Sequence, residues 1–279
     1  MRNKNYALIT GASEGFGKAL SLECAGRGMN LVLVALPGSG LSNLACFIER
    51  NFEVTVFYFE HDLSKQEECR QLIEAIQIKK LHINVLINNA GIGGTHFFED
   101  RGAAFYHRQI ELNVVAPTLL IYHLFTQFKT NAPAHILNVS SLAGIFNLPK
   151  KAVYGATKSY LIAFSKSLQK ELSGKNVFIS TVCPGPMNTT PVLFLQNNSQ
   201  KGIGRWCVMN PEDVARIAIA GMLQKKELII PGFWNKFFML LDKLMPDWLK
   251  NFIMDMNMHK VKVVTDPVIL SINNLKKAI

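Results

Sequence analysis

The sequence predicts an α/β fold: a doubly wound, parallel, seven-stranded sheet in a single domain with a C-terminal helical extension. Three observations predict it. Short apolar runs alternate with segments of helical periodicity, the pattern of repeated βαβ units. The runs are continuous rather than alternating, as in Asn30-Leu-Val-Leu-Val-Ala35, which suits strands buried on both faces. The first run, Tyr6-Ala-Leu-Ile-Thr10, ends in a glycine-rich turn that opens into a helix.

The elements follow in order. A helix is expected over Lys18 to Arg27, closed by Gly28. After the second strand, Pro37-Gly38-Ser39-Gly40 punctuates the chain, and a helix runs from about Leu41 to Arg50. Val54 to Phe59 is the third strand. Asp62-Leu63-Ser64 then opens a helix, with Ser64 as N-cap and Glu67 as its capping-box partner. Asn84 to Asn88 is the fourth strand and Ala134 to Val139 the fifth, with one long helix from about Phe105 to Thr130 between them. Val153 to Leu172 is a further long helix, and Asn176 to Val182 the sixth strand. Asn210 caps a helix with Pro211 in its first turn and Glu212 and Asp213 facing its dipole. Glu227 to Ile230 is the seventh strand, stopped by Pro231-Gly232.

Composition narrows the function. A chain of 279 residues, 49% hydrophobic and 18% charged, can bury a sizeable core and is not disordered. The formal charge of +10 comes from scattered Lys and Arg with no run longer than Lys-Lys, so it points to a solvated surface and to an anionic cofactor or acyl carrier rather than nucleic acid. The five cysteines include no CxxC pair, and no apolar leader precedes the first strand. Free thiols and a cytoplasmic location are the expectation. No metal-ligand spacing stands out.

The motifs carry the chemistry. Thr10-Gly11-Ala12-Ser13-Glu14-Gly15-Phe16-Gly17 joins the first strand to its helix. Glycines there let backbone N–H groups and a helix N-terminus approach a pyrophosphate, although a glycine turn alone is also an ordinary strand–helix connection. Asn88-Asn89-Ala90-Gly91 ends the fourth strand, and Asn138-Val139-Ser140-Ser141 ends the fifth. Tyr154 follows Ser141 by thirteen residues and precedes Lys158 by four. Residues at i and i+4 share a helix face, so the ammonium is expected beside the phenol, lowering its pKa. A lone Tyr-x-x-x-Lys is usually a surface pair. Pro184-Gly185-Pro186-Met187-Asn188-Thr189 follows the sixth strand.

Together these residues resemble the short-chain dehydrogenase/reductase family, in its T-G-x-x-x-G-x-G branch, over roughly residues 4–231. The resemblance implies a Rossmann fold and an NAD(P)-dependent oxidoreductase that moves hydride between nicotinamide and a ketone or secondary alcohol. It implies Tyr154 as acid/base, Lys158 beside it and on the nicotinamide ribose, Ser141 on the substrate oxygen, and Asn113, in Glu111-Leu112-Asn113-Val114, as a helix-bending member of a proton relay. Cofactor contacts carry over to Gly11, Ser13, Glu14, Gly15, Phe16 and Gly17 in the turn, and to the Asp62-Leu63 pair near the adenine. They carry over also to Asn89, Ala90 and Gly91, to Tyr154 and Lys158, and to Pro184, Gly185, Met187 and Thr189. Asp62 also reads as a plain strand-exit residue. The family is often dimeric or tetrameric, so a homo-oligomer is implied.

The sequence departs from the family pattern at the second strand's end. Ala35-Leu36-Pro37-Gly38-Ser39-Gly40 offers neither an Asp for NAD ribose hydroxyls nor an Arg for the extra phosphate of NADP. Glu14 stands where a base often marks NADP preference. The missing Asp tips the expectation to NADP(H), with NAD(H) as the alternative. Residues 1–231 are expected to form the dinucleotide-binding and catalytic domain, including a lid over about 187–210, and 232–279 the extension. The apolar lid residues Val192, Leu193, Phe194, Leu195 and Trp206 suit a bulky apolar substrate of acyl, steroid or polyketide type, or pack over a short helix. The 233–258 stretch, with Lys236, Lys243 and Lys250 among aromatic and aliphatic residues, packs on protein, covers the cleft, or makes a weak peripheral membrane contact. The competing function is a nicotinamide-binding sensor or scaffold without turnover.

Overall fold

A computed structural model of the chain describes residues 5–189, 193–195, 197, 203–246 and 248–250. Seven strands form one parallel sheet: β1 (Asn5–Thr10), β2 (Asn30–Ala35), β3 (Val56–Glu60), β4 (His82–Asn88), β5 (Ala134–Val139), β6 (Val177–Val182) and β7 (Leu228–Ile229). Their order is β3-β2-β1-β4-β5-β6-β7. The strand sequence reverses direction between β1 and β4, so their C-terminal ends open a crevice there.

Helices cover both faces, as the continuous apolar strands require. On one side lie α1 (Gly15–Gly26), α2 (Leu41–Asn51) and α7 (Pro211–Leu223). Their Leu20, Ile48 and Ile219 pack with Ile9, Leu33 and Leu137 of the sheet. On the other lie α3 (Gln66–Ile78), α5 (Ala116–Thr130) and α6 (Ala152–Glu171). There Leu72, Leu124 and Leu168 pack with Leu8, Val32 and Ile136. The alternation Leu8/Ile9 across the sheet is the two-residue strand period made visible. Each such buried side chain contributes about 1.5–3 kcal/mol.

The expected elements are present, with four differences. The third strand starts at Val56, because Val54 turns its amide to Phe52 O at 2.8 Å. Ser64 is not an N-cap. Its amide (3.1 Å) and hydroxyl (2.6 Å) both donate to Asp62 Oδ1, a local turn that competes with capping, and α3 begins at Gln66. Glu67 pairs instead with Arg70. The long helix between β4 and β5 starts at Ala103 and is interrupted: α4 (Ala103–Ile110) passes through a π-helical turn, Glu111–Val115, into α5. Asn210 occupies the cap position of α7, but its side chain makes no capping bond.

Of residues 232–279, the described ones form α8 (Phe233–Leu244) and the short stretch just after it. Asn235 holds α8 to the sheet end, donating from Nδ2 to Pro231 O at 2.8 Å and Cys207 O at 3.3 Å. Met239 packs with Leu142, Cys183 and Ile230. Of the expected lid, residues 190–192, 196 and 198–202 lie outside the described residues, as do residues 251–258 of the tail.

Candidate active site

The glycine turn is a cradle shaped by what cannot be there. Gly11 and Gly15 have φ of +62° and +51°, a region costly for residues with a Cβ. A Cβ on Gly17 would lie 1.8 Å from Gly11 O and 2.6 Å from Asn89 Nδ2, so α1 approaches the turn more closely than any side chain allows. The amides at the start of α1 are left facing the crevice, the arrangement that receives a pyrophosphate. Phe16 is in the hydrophobic core, so only its backbone faces outward. Glu14 is exposed and Ser13 half-buried.

Asn89 and Thr10 brace this turn. Asn89 Nδ2 donates to Thr10 O at 2.9 Å and Gly11 O at 3.0 Å. Thr10 Oγ1 accepts from the amides of Asn89 and Ala90, both at 3.0 Å. Asn88 Nδ2 donates to Asn138 Oδ1 at 2.8 Å, and Asn138 Nδ2 to Ser165 Oγ at 2.8 Å. The strand ends that line the crevice are thus cross-linked by side-chain amides. Thr189 closes the far wall: a Cβ on Gly15 would meet Thr189 Cβ at 3.1 Å. The Pro184 carbonyl accepts from Leu142 N at 2.9 Å, tying the Pro184–Thr189 loop to the turn after Ser141.

Asp62 and Leu63 sit at the exit of β3. Leu63 is in the core. Burial pushes the Asp62 carboxyl up, but the Ser64 hydroxyl and amide and the Arg108 guanidinium outweigh it, and its pKa falls below the usual carboxylate value. At the end of β2, Leu36, Pro37, Gly38, Ser39 and Gly40 are all exposed, so no carboxylate stands at the strand end itself.

The four residues expected to carry chemistry converge. The Ser141 hydroxyl lies near enough to the Tyr154 phenol to pull its pKa down. Lys158 Nζ is 5.8 Å from the Tyr154 ring centroid. A Cβ on Gly91 would lie 3.1 Å from Asn113 Oδ1 and 3.3 Å from Lys158 Nζ, so Asn113 and Lys158 flank the same point of the β4 exit. The two serines divide their work. Ser140 Oγ donates to Lys158 O at 2.7 Å, which spends its hydroxyl on holding α6. Ser141 Oγ accepts from Ala143 N at 3.1 Å and reaches the phenol.

The expected effect of Lys158 on the phenol is corrected. The ammonium donates to Val139 O at 2.8 Å, and it is not what governs Tyr154. Burial pushes the phenol up, the neighbouring Ser141 hydroxyl pulls it down, and the nearby Cys183 adds a small upward push. Burial acts on Lys158 too, bringing it down to about 8. Cys183, beside them, is driven up to about 12 by burial and stays a neutral thiol.

Asn113 lies in the π-helical turn and is buried. Its Oδ1 accepts from Ile92 N at 2.8 Å, and its Nδ2 donates to Ile92 O at 3.0 Å and Thr157 Oγ1 at 3.1 Å. The extra residue of a π turn carries this side chain into the α5–α6 seam. Sequence reasoning did not single out Thr10, Asn138, Ser140 or Thr157 as members of the site. Each is an ordinary polar residue whose partner is distant along the chain.

A second feature adjoins Tyr154. A cavity is lined by Gly94, His96, Phe97, Phe98, Tyr106, Lys150, Lys151 and Tyr154 itself. Lys151 Nζ donates to Gly94 O at 3.2 Å and lies 5.4 Å from the Tyr154 ring centroid.

Comparison with known proteins gives this geometry its context. The short chain dehydrogenase family model matches residues 5–200. The human 17-beta-hydroxysteroid dehydrogenase type 3 is 33% identical over 199 residues, covering 69% of this chain and 62% of that protein. The human inactive hydroxysteroid dehydrogenase-like protein 1 is 26% identical over 250 residues, covering 88% of this chain and 73% of that one. A solved short-chain dehydrogenase from Sphingobium yanoikuyae, in complex with NADPH, superposes with a TM-score of 0.74 at 25% identity, over 94% of this chain and 98% of that one. The overall fold is thus shared along nearly the whole of both molecules. The chain belongs to the short-chain dehydrogenase family, nicotinamide-dependent oxidoreductases that act on CH–OH and C=O groups.

Proposed function

We propose that this protein is a reductase of bulky apolar ketones, with Tyr154 as the proton donor and NADP(H) preferred over NAD(H). The observation that carries the reading is the convergence of Ser141, Tyr154, Lys158 and Asn113 on the side of the sheet where the glycine cradle opens. A carbonyl oxygen brought to the two hydroxyls accepts from both, which stabilises charge as it develops on that oxygen. Burial keeps the phenol protonated at neutral pH, the state needed to donate a proton in the reductive direction. Lys158, near pKa 8, is placed to restore that proton. The nicotinamide supplies the hydride when bound. Asn113 has its side-chain oxygen and nitrogen committed to Ile92 and Thr157, so its share is positional.

The cradle and the amides of α1 suit the pyrophosphate of a dinucleotide. The lean to NADP(H) rests on the exposed, carboxylate-free end of β2, which removes the usual repulsion against a 2′-phosphate. The substrate class rests on the hydroxysteroid in the name of the 33% identical human relative and on the exposed Leu193, Phe194, Leu195 and Trp206 of the expected lid. Residues 232–279 are assigned to an extension of the 1–231 catalytic domain.

A second reading, nicotinamide binding without turnover, draws on the relative whose name calls it inactive. The intact Ser141, Tyr154 and Lys158 favour catalysis. The test is absorbance of NADPH and NADH against a panel of bulky and small ketones. The proposal expects turnover of bulky ketones with NADPH. Tight cofactor binding with no turnover across the panel would establish the second reading instead.

A further inference from the structure

Among the described residues, nothing covers one apolar face of α8. Phe233, Phe237, Leu240 and Leu244 follow the spacing i, i+4, i+7, i+11, one stripe of a helix. Phe233 is 73% and Leu244 74% exposed. Trp234 extends the stripe, and its ring packs on Trp206 at 4.7 Å between centroids. The opposite side of α8 is the one that holds to the fold, through buried Asn235 and through Met239. A helix whose attachment uses a buried asparagine while its aromatic side faces outward is built to meet a second apolar phase. Monomeric proteins rarely expose a contiguous patch of this kind without a partner.

We propose that this face docks onto an anionic lipid bilayer, with α8 lying in the interface plane. Three features select that partner. The described basic groups at the rim of the patch, Lys236 and Arg205, are exposed, while the carboxylate of α8, Asp242, is half-buried and paired with Lys250 at 3.6 Å. The rim is therefore cationic, and so is the chain, at +10. Basic rims around a Trp/Phe/Leu face match anionic headgroups over an acyl layer. A second copy of the same face is a poorer match, because a two-fold pairing brings the cationic rims of both copies together. No helix among the described residues is long and apolar enough to cross a membrane; at about 1.5 Å per residue, α8 has the length to lie on one.

The location links docking to the active site. α8 sits behind the Pro184–Thr189 loop: a Cβ on Gly185 would lie 2.8 Å from Asn235 side-chain atoms. Met239 packs with Leu142 of the turn after Ser141. Docking through α8 therefore brings that side of the crevice to the bilayer surface, where an apolar ketone is dissolved. This last step rests on the proposed function; the docking itself does not.

Of the chain's three tryptophans, Trp206 and Trp234 pack together within the patch, and Trp248, 71% exposed, lies just beyond α8 in the chain. Intrinsic fluorescence of the full chain, mixed with vesicles of phosphatidylcholine alone or with phosphatidylserine, reads the docking without any enzyme assay. The expected result is a blue shift and co-sedimentation with phosphatidylserine vesicles, weakened by salt. The double variant Phe237→Glu/Leu244→Glu changes only exposed positions and should keep the wild-type melting temperature while losing at least tenfold in vesicle affinity. The proposal is overturned if the wild type ignores phosphatidylserine vesicles, or if the double variant binds them equally. It is overturned too if light scattering shows a wild-type dimer that the double variant dissolves, which would make a second copy the occupant. Ketone turnover without vesicle binding would sink the docking and spare the enzyme; vesicle binding without turnover would do the reverse.

Discussion

Replacing Lys158 by Met tests the electrostatics of the site in a quantity that can be worked out beforehand. Burial brings Lys158 from its ordinary 10.5 down to about 8, with Cys183 opposing slightly. The folded value lies below the unfolded one. Between the two, the unfolded chain holds a proton that the folded chain has released, so stability rises with pH across that window. Below about pH 8 the ammonium's burial costs the fold its full amount, about 3 kcal/mol at 1.36 kcal/mol per pKa unit. The cost fades as pH climbs toward the unfolded value. From about pH 7.5 to about pH 9.5, the wild type should gain about 2 kcal/mol of unfolding free energy relative to Lys158→Met. The comparison is made as a difference because other groups titrate in both proteins. The Val139 carbonyl, which loses its donor in the variant, is penalised equally at both pH values and cancels. Denaturant melts of both proteins at the two pH values give the number. Parallel pH dependence in the two would refute the reasoning, since it would mean that Lys158 has an ordinary pKa and is not a buried ammonium.

Two further predictions concern the division of labour around the site. Ser140→Ala should cost about 1 kcal/mol of stability, because its buried hydroxyl holds the Lys158 carbonyl of α6, and change kcat little, whereas Ser141→Ala, which gives up the bond from Ala143 N, should lower kcat by about 10²-fold; steady-state rates separate the two, and the reverse pattern would exchange their roles. Gly17→Ala places a methyl 1.8 Å from Gly11 O, so the start of α1 must move away from the turn, and dinucleotide binding should weaken by at least about 10²-fold; a fluorescence titration with NADPH reads it, and wild-type affinity would show that the turn does not contact the pyrophosphate.

Most of the fold and much of the site were legible because the signals are local. The glycine turn, the paired asparagines at the β4 exit and the Tyr-x-x-x-Lys spacing are each contiguous or one helical turn long, and each falls at a strand end fixed by apolar runs. What was not legible depends on partners far along the chain or on local competition. Ser64 has the right identity and spacing for an N-cap, yet its bonds to Asp62 are available before any helix forms. The π-helical turn at Glu111–Val115 adds one residue to a helix whose apolar periodicity continues on either side, so a 3.6-residue pattern passes over it. Thr10, which fixes the amides of Asn89 and Ala90, acts across 79 and 80 residues. The ammonium of Lys158 was expected to set the phenol's pKa from sequence proximity. The fold instead turns it to Val139 and buries both groups, and burial dominates.

The central claim is that Tyr154 delivers the proton to the substrate oxygen. The most direct measurement is single-turnover oxidation of NADPH, with a bulky ketone in excess, by the wild type and by Tyr154→Phe. The phenylalanine ring keeps the packing at this position, so the variant should bind NADPH with wild-type affinity and melt at a similar temperature. Its hydride-transfer rate should fall by at least about 10³-fold, within the 10²–10⁴ range ascribed to a positioned proton donor. An equal rate in the two proteins would contradict the account and move the acid to another residue.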